Sequence, residues 1–207
     1  MATQRDPGRT RQHLLEAAFQ EIYKVGFQAA SLNTILSNAG VTKGALYHHF
    51  KNKKALGYAV VDEVVGRYVL EIWLFPFQEA EDPLSVLQGT LRKKEVGPFN
   101  FRLGCPLNNL AQEMSPLDNG FRKRLEKLFC DWREGIAEAL RQGQEKGYVR
   151  ADIDPLQVAD FFLAALEGSL SMAKNAQDES RFKQLKEGLV RYLETLRPKA
   201  RLRKSTS

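Results

Sequence analysis

The amino-acid sequence predicts an all-α protein, and three observations support this fold class. Apolar residues recur at spacings of three and four along most of the 207 residues, as on a helix with one buried face. No stretch shows the strict apolar and polar alternation of a half-buried strand. Segments containing glycine or proline interrupt the periodic stretches, as expected at helix ends. With 43% apolar residues, a chain of this length predicts one small and one larger domain.

The N-terminal quarter predicts a long helix followed by two short ones. The long helix runs from about residue 9 to residue 25, and Gly26 ends it. The second helix begins at Ser31, whose hydroxyl can cap free backbone N–H groups. Gly40 then bends the chain, and Thr42 caps a third helix whose outer edge is polar. A short polar-edged helix after such a turn fits a DNA major groove about 12 Å wide.

The middle of the chain predicts a long helix and then a less regular region. The helix runs from about residue 53 to residue 75, where Pro76 stops it because proline has no backbone N–H. Another helix begins at Pro83. Residues 95–120 mix turn-forming and apolar residues, which predicts broken helix and loop with apolar side chains turned inward.

Three amphipathic helices are predicted in the C-terminal half. The first follows Asn119-Gly120, begins at about residue 121 and ends near residues 146–147. Asp154 and Pro155 provide the N-cap and first residue of the second. The third spans about residues 182–196, where apolar residues recur at heptad-like spacing. Residues 198–207 form a basic tail that is expected to be disordered.

Positive charge is concentrated at the two ends of the chain. Residues 1–54 hold eight basic and three acidic side chains, and residues 197–207 hold five basic and no acidic ones, so each segment carries +5. Because the total is +6, residues 55–196 carry −4. Basic ends on a mildly acidic body are typical of polyanion binding, although basic termini can also serve solubility alone.

Several function classes find no support in the sequence. The polar N-terminus does not resemble a signal peptide, and charged residues break the apolar stretch 55–77, so no membrane span is expected there. Cys105 and Cys130 form no CxxC motif, which fits a reducing cytosol. There is no GxSxG, Walker, GxGxxG or HExxH motif, and the adjacent His48 and His49 cannot chelate a metal as an i, i+4 pair can. No enzyme, metal site or cofactor is therefore expected.

An ordered string at residues 39–50 resembles a known family. The string is AGVTKGALYHHF, followed by Asn52-Lys53 and Leu56 and preceded by Ala17-Ala18-Phe19 and Gly26-Phe27. It is similar to the tetracycline-repressor (TetR) family of bacterial transcription regulators. The resemblance implies an N-terminal three-helix DNA-binding domain with a helix-turn-helix, residues 1–54. It also implies a C-terminal helical ligand-binding and dimerisation domain, residues 55–197.

The candidate DNA-binding residues lie on and beside the third helix. Lysine and arginine side chains there are expected to neutralise phosphates, and the first residues of the helix to touch base edges. The hydroxyl of Tyr47 is expected to reach a phosphate, with packing alone as the alternative reading. We expect double-stranded operator DNA to contact Arg11, Thr42, Lys43, Gly44, Ala45, Tyr47, His48, Lys51 and Lys53.

Lys54 departs from the pattern of the family, which often has an acidic residue just inside the next helix. A cation at this position opposes the helix dipole but favours a nearby phosphate.

The resemblance also implies a pocket between the central helices, whose small-molecule ligand releases the DNA. Large apolar side chains in this part of the chain predict a small apolar or aromatic ligand. The alternative is that these side chains form ordinary core. The candidate ligand-binding residues are Phe75, Phe99, Phe101, Cys105, Leu110, Met114, Phe129, Trp132 and Phe162.

Cys105 has a second possible role. It lies at the predicted start of a helix, where backbone dipoles can lower the pKa of a thiol. The surrounding GCPLNNL resembles a segment in a subgroup of the family, some members of which sense oxidants or electrophiles. A buried, unreactive Cys105 is the other reading of the same sequence.

The last two helices are apolar on more than one side, which predicts a partner surface. The resemblance implies a two-fold homodimer joined by a four-helix bundle. The other reading is intramolecular core. The candidate interface residues are Phe161, Leu166, Ser169, Leu170, Leu185, Leu189 and Leu193.

The sequence therefore predicts a cytoplasmic, homodimeric DNA-binding regulator, with repression and ligand-gated release as the expected mode. Regulation through modification of Cys105 is the alternative within this class. A helical ligand carrier or scaffold is the alternative from another class.

Overall fold

The computed structural model describes residues 7–93 and 100–198. These described residues form helices and connecting turns, and they contain no β-strand. This confirms the all-α fold class. Phe99 and residues 199–207, which include most of the predicted basic tail, lie outside the described residues. The α-helices are α1 Pro7–Val25, α2 Leu32–Ala39, α3 Lys43–His49, α4 Lys53–Ala59, α5 Gly66–Val69, α6 Pro83–Arg92, α7 Pro106–Met114, α8 Asn119–Glu145, α9 Pro155–Ala176 and α10 Glu179–Glu194.

The long helix predicted over residues 53–75 is helical throughout but not uniformly α-helical. Two wide π turns, Val60–Val65 and Leu70–Leu74, flank α5, and a 3₁₀ turn, Phe75–Phe77, contains Pro76. The first π turn buries all four of its valines. π turns are uncommon and occur often at functional sites.

The contacts within the chain divide it into two compact units. The first unit contains Met1–Leu70 and Phe99–Cys130, and the second contains Glu71–Pro98 and Asp131–Ser207. The first unit thus extends beyond residue 54 and takes in α7. Its core is formed by apolar residues of α1, α3, α4 and the first π turn, among which Leu14, Ala18, Leu46 and Val60 are fully buried.

The second unit contains α6, α9, α10 and the part of α8 from Asp131 onward. Its core includes the fully buried Leu84, Trp132, Leu140 and Phe162. Asp154 caps α9 by accepting a hydrogen bond from the backbone N–H of Leu156 at 2.9 Å, as the sequence predicts.

Candidate functional site

The helix-turn-helix forms as the sequence predicts. Ser31 and Thr42 are the N-caps of α2 and α3, and the Thr42 hydroxyl oxygen accepts a hydrogen bond from the Ala45 N–H at 3.2 Å. Gly40 ends α2 with φ of 64°, a left-handed conformation that costs glycine little. The side chains of Ser31 and Thr42 thus cap the N-termini of both short helices, and Gly40 ends the first of them.

Helix α3 has an inner face and an outer face. Leu46 and Phe50 point inward and are 0% and 5% exposed. Thr42, Lys43, Gly44 and His48 are exposed, Ala45 is half-buried, and 46% of Tyr47 is exposed. The structure thus leaves five of the predicted DNA-binding residues exposed along α3, with Ala45 half-buried among them.

Arg11 is paired with an acidic residue of the first unit, although 38% of its side chain is exposed. Its guanidinium donates two hydrogen bonds to Glu63, at 2.6 and 2.5 Å, and lies 5.3 Å from the centre of the Phe50 ring. The same pair lowers the pKa of Glu63 and raises the pKa of Arg11. Because Glu63 and Phe50 already engage the guanidinium, Arg11 is a weaker candidate for a phosphate contact than Lys51.

The two lysines that follow α3 have different surroundings. Lys51 is exposed. Lys53 is half-buried, donates from Nζ to the Gln28 carbonyl at 3.0 Å and lies 5.0 Å from the centre of the Phe27 ring. Lys53 therefore fastens the turn between α1 and α2, and Lys51 is the more accessible cation for a phosphate.

The segment that precedes α7 is bonded to helix α1. The Tyr23 hydroxyl donates to the Gly104 carbonyl at 2.6 Å and accepts from the Asn100 N–H at 3.1 Å. Burial is the main cause that raises the pKa of Tyr23 to about 12, so the hydroxyl stays protonated at neutral pH. A residue of α1 thus anchors the loop that leads into α7.

Glu113, in the last turn of α7, is bonded to the turn that follows α1. Its two carboxylate oxygens accept hydrogen bonds from the backbone N–H groups of Phe27 and Gln28, each at 2.8 Å. Charged acceptors make stronger hydrogen bonds than neutral ones. Since Lys53 binds the Gln28 carbonyl, this turn is held from both sides.

Asp118, at the start of α8, provides the third link and accounts for the unusual Lys54. Its carboxylate pairs with Lys54 Nζ at 2.8 Å and accepts from the Tyr58 hydroxyl at 2.6 Å. It also accepts from the Gly120 and Phe121 N–H groups. These bonds, led by the one from Lys54, hold the pKa of Asp118 far below its ordinary value. The cation at position 54 thus has an acidic partner within the first unit.

Most of the predicted ligand-binding residues of the first unit lie on α7 or just before it, and Phe129 lies on α8. Cys105 caps α7 with its backbone and is buried, and Leu110 and Met114 share the buried face of this helix. Phe101 and Phe129 are half-buried. Exposure of 7% leaves the Cys105 side chain little contact with solvent.

Trp73, Trp132 and Phe162 form a buried group in the second unit, here named the tryptophan cluster. The centroid of the Trp73 ring is 5.2 Å from that of Trp132 and 6.0 Å from that of Phe162. The sequence predicts Trp132 and Phe162 at a ligand site, but it does not predict Trp73 there. The i, i+4 spacing of Val69 and Trp73 marks Trp73 as inward-facing and could have indicated it. Phe75, also predicted at this site, is 48% exposed.

The predicted interface residues divide into buried and exposed groups. Leu166, Ser169, Leu189 and Leu193 are only 4%, 8%, 5% and 0% exposed within a single copy, so they have little surface to offer a partner. Their main role is in the core of the protomer. By contrast, 54% of Phe161 is exposed, and Leu170 and Leu185 are half-buried.

Helix α9 is also long and apolar enough to cross a membrane by length and composition. Its best 18-residue window has a mean hydropathy of 1.2, and 44% of that window is buried inside the protein. Core helices of soluble proteins pass the same test, so this is weak evidence for a membrane span.

Comparison with known proteins gives two family matches. Residues 14–60 match the family described as bacterial regulatory proteins, tetR family, and residues 95–189 match the tetracyclin repressor-like C-terminal domain. The first match includes the helix-turn-helix, and the second includes α7, α8 and α9.

Two curated relatives and one solved structure illustrate the similarity. The transcriptional regulator AcuR of Cereibacter sphaeroides is 32% identical over 172 residues, covering 82% of this chain and 78% of the relative. The transcriptional repressor DhaR of Mycobacterium sp. strain GP1 is 28% identical over 79% of this chain and 82% of its own length. A crystal structure of a TetR regulatory protein from Rhodobacter sphaeroides is 30% identical, with a TM-score of 0.77, over 87% of this chain and 97% of that chain.

Proposed function

Because the chain belongs to the TetR family and is a DNA-binding transcriptional regulator, we propose that it acts as a homodimeric repressor that a small molecule releases from its operator. The relative DhaR is named a transcriptional repressor, which supports repression rather than activation of the regulated genes. The similarity to bacterial regulators supports a cytoplasmic location. The alternative function, a helical carrier or scaffold, is not favoured by these relatives.

The outer face of α3 is the observation that carries the proposed DNA contact. Lys43, Tyr47 and His48 are exposed while Leu46 anchors the helix from beneath, so polar groups are presented on a fixed support. In this arrangement Lys43 would meet a phosphate or a guanine edge, and Tyr47 a phosphate. Lys51 would add a further phosphate contact.

An apolar stripe on α9 supports the proposed dimer. Phe161, Gly168 and Met172 are exposed, and their spacing of seven and four residues places them on one face. A Cβ atom built on Gly168 would meet nothing within 4 Å, so the surface is open at this position. The Phe161 ring lies 4.8 Å from that of Tyr192 on α10, which extends the stripe to the last helix. We propose that a second copy covers this surface.

The three links to α1 and α4 supply a route for release. Tyr23, Glu113 and Asp118 fasten residues 100–118 to the DNA-binding helices. A ligand that favours another position of α7 would shift the turn at Phe27, and with it the angle at which α3 is presented. Coupling of about 1–3 kcal/mol, roughly 5- to 150-fold in affinity, is usual for such switches.

The test of the proposed function begins with the DNA that the protein selects. Fragments recovered with the purified protein are sequenced, and binding is then measured by mobility shift against a scrambled duplex. Lys43→Ala should weaken binding to the selected site at least about 10-fold. Lys123→Ala removes the same charge from an exposed position on α8 and is the matched control. Equal weakening in both variants, or no selected sequence, would contradict the proposal and favour the carrier or scaffold.

A further inference from the structure

The indole N–H of Trp132 is an unusual group within the tryptophan cluster. The residue is 2% exposed, and among the described residues its Nε1 finds no hydrogen-bond acceptor. Buried donors in native proteins nearly always have an acceptor, because an unpaired one forfeits the hydrogen bond that it made to water in the unfolded chain. A phenylalanine would fill similar space without that cost. An acceptor that is not part of the chain would satisfy this N–H group.

The backbone around the cluster provides a second, independent observation. Trp73 lies in the π turn Leu70–Leu74, a wide turn of a kind that occurs often at functional sites. Leu74 of the same turn packs directly on α8, since a Cβ atom at Gly135 would lie 2.6 Å from its Cδ2. The π turn thus rests on the helix that carries Trp132.

The rings define what kind of molecule would fit. Aromatic side chains pack against planar groups in offset or edge-on arrangements, and the Trp73 ring is tilted by 42° to Trp132 and by 70° to Phe162. A charged ligand would have to be desolvated among these rings at a large cost.

We propose that the tryptophan cluster binds a neutral, planar and largely apolar molecule that carries a carbonyl oxygen, and that this oxygen accepts the Trp132 N–H. The inference names the chemical class of the effector and so rests on the regulator function proposed above. The rings supply the contact area, and the single donor orients the ligand.

The composition of the chain makes this site easy to observe. Its two tryptophans are Trp73 and Trp132, so both indole N–H cross-peaks in a ¹⁵N–¹H spectrum report on the cluster. Trp73→Phe and Trp132→Phe assign the two peaks. The probes are 1-indanone, indane, which has the same ring system without the carbonyl, and indane-1-carboxylate as the anionic counterpart.

The expected result is a carbonyl-specific effect at one indole. 1-Indanone should move the Trp132 indole proton downfield and bind roughly 3- to 10-fold more tightly than indane, as expected for one added hydrogen bond. Trp132→Phe should abolish this ratio. Trp73→Phe should weaken 1-indanone and indane alike, because its ring supplies contact area to both. Leu117→Ala, at an exposed position of the first unit, is the control and should change neither affinity.

Four outcomes would overturn the inference. The first two are equal binding of 1-indanone and indane, and binding of neither at millimolar concentration. The third is tighter binding of indane-1-carboxylate than of 1-indanone. The fourth is a water cross-peak at the Trp132 indole in the probe-free protein, which would identify water as the acceptor. Operator binding by the probe-free parent protein tests the proposed function separately. A parent that selects no DNA sequence but shows the carbonyl effect would contradict the regulator function and not the site.

Discussion

Glu113 accepts the backbone N–H of Phe27 at 2.8 Å, which joins the end of α7 to the turn between the first two helices of the DNA-binding region. The other carboxylate oxygen accepts the Gln28 N–H at the same distance. One side chain thus satisfies two adjacent backbone donors that a turn would otherwise leave to water. If the end of α7 is displaced, either these hydrogen bonds break or the turn at Phe27 and Gln28 moves with the helix.

Replacing Glu113 with Gln should loosen this joint. The amide keeps one acceptor but turns an NH₂ group toward the second backbone donor, so the free energy of unfolding should fall by about 1–3 kcal/mol. Amide exchange at Phe27 and Gln28 should accelerate. Gln112→Ala, at an exposed neighbouring position, should change the stability by less than about 0.5 kcal/mol. Unchanged exchange at both amides in Glu113→Gln would show that the joint contributes nothing.

Lys51 and Lys53 should respond differently to replacement by alanine. Removing one cation from a phosphate lowers the salt slope of DNA binding by about 0.9, so Lys51→Ala should lower it by about 1.8 in a dimer. Lys53→Ala should change the slope less and reduce stability instead, because its ammonium group binds the Gln28 carbonyl. Mobility shifts at several salt concentrations and urea unfolding separate the two effects. If Lys53→Ala lowered the salt slope more than Lys51→Ala, then Lys53 and not Lys51 would be the phosphate contact.

The exposed stripe on α9 should control the oligomeric state. Phe161→Lys places a charge on the proposed interface and should yield a folded monomer, with the helical circular dichroism retained. Leu117→Lys is the control, because Leu117 is 61% exposed and lies in the first unit. Light scattering measures the mass of each variant. A Phe161→Lys protein that stays dimeric would remove this face from the interface.

Asp118 should make the stability of the first unit sensitive to acid. Its pKa is lowered in the folded protein from the ordinary 3.8, chiefly by Lys54, so its contribution is complete above about pH 4. That contribution disappears as the pH falls through the lowered pKa. Asp118→Asn should be less stable at neutral pH, and its stability should fall less than that of the parent between about pH 4 and pH 2. Thermal unfolding along this pH series is the measurement, and parallel curves for the two proteins would contradict the assignment.

Local sequence determined much of what could be predicted. Ser31, Thr42 and Asp154 cap the helices that the sequence predicts them to cap, because a capping hydroxyl or carboxylate reaches only two or three residues along the chain. Leu46 and Phe50 are buried for a similarly local reason, the spacing of one helical turn.

Pairings between distant residues could not be predicted in the same way. Glu113 is 86 residues from Phe27 in sequence, and no periodicity pairs a carboxylate with the backbone of a remote turn. The same applies to Lys54, which meets its partner Asp118 only in the folded chain. The burial of Leu166 within one copy likewise depends on how the helices pack, since an apolar helix face does not indicate which surface covers it.

Because the turn Val60–Val65 has π-helical spacing, we expect the chain to tolerate the deletion of one residue there. At its end the Gly66 N–H donates to the Val61 carbonyl five residues back, one residue more than in an α-helix. Deleting a single residue from this turn restores α-helical spacing and leaves Gly66 facing Leu128, where a Cβ atom would come within 3.1 Å of Cδ2. The same deletion inside α8 would rotate every later residue of that helix by about 100°. A variant that is one residue shorter at this turn is therefore expected to keep the same packing beyond it.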